Sequence, residues 1–171
     1  LLLVKMTESI RHMPISNFHQ VSPRLYRGGQ PNEKGFVALS ELAVKTVVCL
    51  RWRKRRVESE RLIVEGLGMR FVSIPLNYWS LPGHDHVRQL LEIVDDQANH
   101  PVFIHCFHGA DRTGVMVAMY RILRHDWSLQ EAYKEMRACG FHRFVTAHFK
   151  LALWRLARQT AHQLSLDETK K

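Results

Sequence analysis

The stretch PVFIHCFHGADRTGVMVAMY, Pro101 to Tyr120, constrains the fold more than any other part of the chain. Pro101 to His105 is short, apolar and β-branched, the pattern of a strand covered on both faces. From Thr113 to about His125 the sequence is apolar nearly all round in its first two turns, which predicts a helix in the middle of the fold. A tight loop is all that separates the two. A buried strand feeding a buried helix belongs to an α/β sheet, and the rest of the chain repeats that alternation.

Upstream, LYRGG (Leu25 to Gly29) predicts a short strand ending in a glycine turn, and Asn32 caps a helix carrying Phe36, Leu39 and Leu42 on one face. Lys45 to Leu50 is a second buried strand. A helix over Val57 to Leu67 closes at Gly66 or Gly68, and Met69 to Leu76 is a strand stopped by Pro75. Asn77 to His84 is a loop, followed by a helix whose inward stripe is Val87, Leu90, Leu91 and Val94. Helices near Leu129 to Ala138 and Thr146 to Gln163 complete the pattern. The expected fold is a single α/β domain over residues 1–171 with its core in about 18–160. It has a central, mostly parallel sheet of four to five strands and helices on both faces.

The 171 residues match one domain, at about 100 to 200 residues per domain. Hydrophobic residues make up 46% and charged residues 24%, which excludes a disordered or collagen-like chain. No uncharged stretch approaches the roughly 18 residues of a spanning helix, so no membrane span is expected. The chain does not begin with Met, and the opening LLLV is read as the stub of a removed signal or the edge of a longer segment. The charge balance, 25 − 16 = +9, favours anionic partners: phosphates, nucleic acid or an acidic lipid surface. Three scattered cysteines, Cys49, Cys106 and Cys139, argue against a disulfide framework and for a reducing compartment, taken as the cytoplasm. The histidines lack zinc spacing and no C-x-x-C accompanies them, so neither a metal nor another cofactor is expected.

The loop between Pro101–His105 and the buried helix has the composition of an anion site. Backbone N–H groups of Phe107, His108, Gly109, Ala110, Asp111 and Arg112 can converge on one phosphate at the positive end of the helix dipole. Gly109 lets the backbone curl inward, and the planar fork of Arg112 can take two phosphate oxygens at once. Cys106 lies in the same positive field, which lowers a thiol from about 8.5 toward 3.5 to 7.5. Thr113 is expected to cap the helix and to hydrogen-bond the sulfur. Cys49 and Arg55 form a second C-x5-R, but its loop lacks glycine, is crowded by Trp52 and basic side chains, and lacks both a following Ser or Thr and a capped helix.

HCFHGADRTG resembles the H-C-x5-R-[ST] loop of the cysteine-dependent phosphatases, in particular their atypical dual-specificity branch. Phe18 to Pro31, Thr46 to Arg51 and Asn99 to Cys106 resemble that branch as well, so the likeness spans roughly residues 18 to 125. It implies that Cys106 attacks phosphorus to form a phosphocysteine, that Arg112 clamps the equatorial oxygens, and that Thr113 assists breakdown of the intermediate by water, without a metal. His105 would orient the loop or serve as a satisfied core histidine.

A leaving oxygen needs a proton, and relatives carry an Asp for this in a loop ahead of the cysteine. Here Ser73 to Trp79 holds no acid. Asp85, alternatively an N-cap, and Asp111, alternatively a loop-shaping residue, are the two candidates; His84, His86 and His108 rank below them. RWRKRR (Arg51 to Arg56) follows the second strand, whose end should border the same crevice. Arg51, Arg53, Tyr78 and Trp79 are therefore candidate substrate contacts, the aromatics alternatively packing on the sheet. The expected partner is a phosphorylated protein or a polyphosphorylated small molecule, with peripheral contact to acidic lipid. A catalytically weak anion-binding pseudophosphatase and a basic nucleic-acid-binding domain are the rivals, and the second has no recognisable motif. Oxidation that pairs Cys49 with Cys106 is a further possibility.

Overall fold

The computed structural model describes residues 12–77, 79, 81–142 and 144–168, with side chains as far as 160. In chain order the elements are β1 (His19–Ser22), β2 (Leu25–Gly28), α1 (Glu33–Glu41), β3 (Thr46–Cys49), α2 (Lys54–Gly66), β4 (Arg70–Ser73) and α3 (His84–Asp95). A 3-10 turn at Gln97–Asn99, β5 (Val102–His105), α4 (Asp111–His125), α5 (Leu129–Ala138) and α6 (Ala147–Glu168) follow. The strands form one sheet of five in the order β1-β2-β5-β3-β4, in which the β1–β2 pair alone is antiparallel.

Alternate strand residues divide between two layers, as the period of two requires. Leu25, Val48, Val102 and Ile104 join the apolar faces of α3, α4, α5 and α6 in one cluster. Tyr26, Val47, Phe71 and Phe103 join Phe36 and Leu39 of α1 and Val57 and Val64 of α2 on the other face. Burying such side chains contributes roughly 1.5–3 kcal/mol each. The expected α/β architecture with helices on both faces is therefore present.

Local boundaries differ for identifiable reasons. The edge strand β1 escaped the sequence pattern because it is four residues long and only its last two are buried. The helix expected from Val57 begins at Lys54, so half of the basic run is helical and the second C-x5-R does have a helix behind it, though one without a side-chain cap. The helix expected from Thr113 begins at Asp111 with Ala110 as N-cap, which corrects the capping role expected of Thr113: it lies inside the first turn. Asn32 caps α1 as expected, its side chain accepting from the Gly35 N–H at 2.9 Å.

Parallel pairing places Gly28, His105 and Cys49 on one rung. The loops that leave β2, β5 and β3 therefore emerge together at one edge of the sheet, where open α/β folds bind ligands.

Candidate active site

At that edge the loop after β5 packs backbone to backbone on the loop after β2. Gly109 has φ +69°, and a Cβ there would stand 2.3 Å from the Gly28 carbonyl carbon and 2.5 Å from the Gly29 nitrogen. A Cβ on Gly29 would meet Ser16 Oγ at 2.4 Å. Only glycine allows both approaches. The Gln30 N–H then donates to the Phe107 carbonyl at 3.0 Å, and the Leu50 N–H to the His105 carbonyl at 2.9 Å, so the loop is bound from both flanking strands. Among the described residues no backbone carbonyl accepts from the amides of Phe107, His108 or Ala110, which leaves these donors to an anion.

Cys106 is buried at the start of this loop. Burial by itself would raise its thiol. Arg112, the hydroxyl and N–H of Thr113 and the N–H of Gly109 overcome that effect and hold it below its ordinary value. Arg112 is buried on α4 and its Nη1 donates to the Leu76 carbonyl at 3.3 Å, which fixes the guanidinium. The Thr113 hydroxyl is fully buried beside the sulfur and has no other hydrogen-bond partner among the described residues.

His105 serves both functions expected as alternatives. Its Nε2 lies 2.6 Å from Glu60 Oε1 and its Nδ1 3.1 Å from the Cys106 carbonyl. Burial disfavours the imidazolium, but the Glu60 carboxylate, with the Cys49 sulfur beside it, outweighs that and pushes the histidine up to about 10, so both ring nitrogens donate. Glu60 also accepts from Gln30 Nε2 at 3.0 Å, and Gln30 Oε1 from Arg51 Nη1 at 2.5 Å. Cys49, Glu60 and His105 bring their ligand-type atoms within 4.8 Å of one another, and Cys49 Sγ lies 3.7 Å from Glu60 Oε2. The cluster comes from three elements, so no spacing in the sequence announced it, and His105 and Glu60 hold each other.

The cleft over the loop has a volume of about 430 Å³ and is lined by Arg51, Trp52, Arg53, Arg56, Trp79, Phe107, His108 and Arg112. The structure thus brings the basic run to Arg112, as the strand-end argument required. Arg51 stacks over the Phe107 ring at 5.5 Å and Arg53 over Trp52 at 5.6 Å. Trp79 is 81% exposed at the rim. Tyr78 lies outside the described residues.

Neither candidate acid meets this cleft. Asp85 is 79% exposed in its side chain and bonded to Arg88 at 2.9 Å; the N-cap of α3 is Gly83, which corrects the capping alternative for Asp85. Asp111 is buried and turned to the segment after α5: Oδ1 accepts from the His142 N–H at 3.1 Å and from Thr146 Oγ1 at 2.8 Å, and Oδ2 lies 3.0 Å from His142 Nδ1. It anchors a distant segment rather than shaping its own loop. His84 pairs with Gln159 at 2.8 Å, and His86 Nδ1 accepts from the Gly83 N–H at 3.0 Å.

Three contributors were not singled out from sequence. Asn17, with φ +54°, donates from Nδ2 to the Gly109 carbonyl at 3.2 Å and to the Cys139 carbonyl at 2.9 Å. Arg27 donates from Nη2 to the same Gly109 carbonyl at 2.8 Å, and Glu60 is the partner of His105. The three cysteines are buried and free. No helix among the described residues is long and apolar enough to cross a membrane.

Comparison with known proteins agrees with this geometry. A family model described as PTP-NADK, a DSP-PTPase phosphatase fused to NAD+ kinase, matches residues 7–151. The dual specificity protein phosphatase TpbA of Pseudomonas aeruginosa is 34% identical over 128 residues, 75% of this chain and 56% of that protein. The inositol diphosphatase DSP1 of Oryza sativa is 30% identical over 151 residues, 82% of this chain and 62% of its own length. The chain thus spans little more than half of these relatives. The core catalytic domain of the PP-IP phosphatase SIW14 from S. cerevisiae, solved with citrate, superposes with a TM-score of 0.71 at 25% identity, covering 91% of this chain and 94% of that domain. With its loop geometry, its fold and these matches in agreement, the chain belongs to the dual-specificity branch of the cysteine-dependent phosphatases.

Proposed function

We propose that the chain is a phosphatase that works through a phosphocysteine at Cys106, on phosphomonoesters or diphosphates that carry more than one negative group. The observation that carries this reading is the buried Cys106 thiol, held below its ordinary value by Arg112, Thr113 and Gly109. Phosphate oxygens fit the amides of Phe107 to Arg112 and the Arg112 guanidinium. The thiolate attacks phosphorus, an S–P bond forms, and the P–O bond to the leaving group breaks with its electron pair on oxygen. Water then attacks the phosphocysteine, phosphate leaves, and the Thr113 hydroxyl donates to the departing thiolate.

The finer choice of substrate follows from the cleft and from the missing acid. Arg51, Arg53 and Arg56 beside Arg112 suit a polyphosphate, and the relatives include one named an inositol diphosphatase as well as a dual-specificity protein phosphatase. With neither Asp85 nor Asp111 in the cleft, and His108 the one lower-ranked donor candidate that lines it, a leaving group that needs little or no proton is favoured. The phosphate monoester released when a diphosphate is cleaved is such a group; an alkoxide of serine or threonine is not. A diphosphate-bearing inositol polyphosphate is therefore the preferred substrate class, with phosphotyrosine second. A thiolate nucleophile calls for a reducing compartment such as the cytoplasm, with which the three free thiols agree.

The test is phosphate release from such a diphosphate, a phosphotyrosine peptide and p-nitrophenyl phosphate, with a chelator present, by the wild-type protein and by Cys106→Ser. Release confined to the wild type and greatest on the diphosphate supports the reading. Equal release by both proteins removes Cys106 as nucleophile, and no release by either makes the cleft a binding site.

A further inference from the structure

Directly beneath the loop lies a cation that the steps above do not use. Arg27 of β2 is 1% exposed, among the largest fully buried side chains of the protein. Its Nη2 donates to the Gly109 carbonyl at 2.8 Å, while its Nε is buried without a hydrogen-bond partner. Among the described residues no carboxylate makes an ion pair with it. The ionisable groups around it are His19 of β1, Arg121 of α4, Glu135 of α5, Cys139 at the C-cap of α5, and Cys106 itself. Burial keeps the Cys139 thiol protonated, and Glu135 is committed to Arg121 at 2.7 Å.

A buried cation with an orphaned donor and no acidic partner destabilises a fold, so its presence calls for a compensating role. Gly109 supplies the geometry of that role. Its carbonyl is drawn down by Arg27 and Asn17, which turns the opposite, amide side of the loop toward Cys106. Beside Glu135, which is already paired with Arg121, the anions within reach of the Arg27 charge are the Cys106 thiolate and a phosphate in the loop.

We propose that Arg27 is a positioning residue and a fixed positive charge beneath the phosphate loop, kept for the charge state of Cys106 and not for the fold. This rests on the reading of Cys106 as a thiolate nucleophile. Two properties of the protein then separate. Replacing Arg27 by an uncharged side chain of similar shape raises the Cys106 thiol by about one pH unit, the lower end of what a nearby opposite charge produces. The same replacement leaves thermal stability unchanged or higher, since an unpaired buried charge is lost and Asn17 still holds the Gly109 carbonyl.

The experiment follows the iodoacetamide alkylation rate of Cys106 against pH, resolved from Cys49 and Cys139 by peptide mass spectrometry. Wild type, Arg27→Met and Arg27→Lys are compared, with a thermal melt of each. The expected result is a raised midpoint in Arg27→Met, recovery of at least half the shift in Arg27→Lys, and a melting temperature of Arg27→Met no lower than wild type. An unchanged midpoint in Arg27→Met overturns the proposal. So does an equal rise in both variants, which would assign the effect to guanidinium geometry and not to charge. Failure of Arg27→Met to fold, or an earlier melt, overturns it too, by making Arg27 structural. Should wild-type Cys106 itself titrate like an ordinary thiol, the reading of the site falls first, and Arg27 with it.

Discussion

The Nε2 of His105 lies 2.6 Å from Oε1 of Glu60, and the two side chains are 0% and 4% exposed. The residue before Cys106 is thus an imidazolium paired inside the protein. Removing one partner of such a pair costs about 3–5 kcal/mol. Glu60→Gln should lower stability by that amount near neutral pH, measured by urea unfolding. The histidine is raised from 6.5 to about 10, so its contribution is complete below about 6.5 and is lost as pH rises through 10. Glu60 is held below the ordinary carboxylate range by His105 against the effect of burial, so its share is lost only on acidification below that range. The gap between wild type and Glu60→Gln should therefore narrow as pH approaches 10.

Gly109→Ala tests the contact between the two loops. The added methyl meets Gly28 backbone at 2.3 Å, and the positive φ adds about 1–2 kcal/mol of strain. Because the clash is with backbone, the phosphate loop must shift, and a displacement of that order costs about 100-fold in rate. Single-turnover release from p-nitrophenyl phosphate measures it.

The two carboxylates separate by leaving-group dependence. Asp85→Asn should leave stability within about 0.5 kcal/mol and leave turnover of both aryl and alkyl phosphates as in wild type. Asp111→Asn should destabilise by about 1–3 kcal/mol, through the weakened hold on His142 and Thr146, and slow both substrates by the same factor. A loss confined to the alkyl phosphate in either variant would identify it as the proton donor.

Charge in the cleft should show in substrate preference. Arg53→Ala is expected to lower kcat/KM for an inositol diphosphate about tenfold, some 1.4 kcal/mol, while changing p-nitrophenyl phosphate little. The rate on the polyanion should also become less sensitive to salt. Steady-state kinetics from low to high ionic strength distinguish this from a general loss of activity.

The strand, loop and helix around Cys106 were legible because each rests on local chemistry: apolar runs of fixed period, a glycine at the turn and an arginine six residues on. The groups that support them were not. Glu60 stands in VESER, among Glu58, Ser59 and Arg61, whose polarity suggests a solvent face; only the packing of α2 on the sheet turns it inward to His105. Asp111 meets His142 and Thr146 across more than 30 residues of chain, and no local pattern announces such a contact. Arg27 sits in LYRGG like any polar strand residue, and the groups around it, His19 of β1, Arg121 of α4 and Glu135 of α5, come from distant parts of the chain. Thr113 was misplaced as a cap by the assumption that the helix starts where the apolar pattern starts; α4 opens two residues earlier, on Asp111 and Arg112.

The position of β5 has a consequence for how the site fails. It is the middle strand, bonded to β2 on one side and to β3 on the other. Amides of Val102 to His105 are thus the last to exchange with solvent, opening only when the whole domain does. The anion cradle hangs from the least labile part of the chain, whereas the rim at Trp52 and Trp79 lies on loops beyond the sheet edge. Substrate selectivity should therefore erode on warming well before the capacity to hold a phosphate, which persists until the domain unfolds.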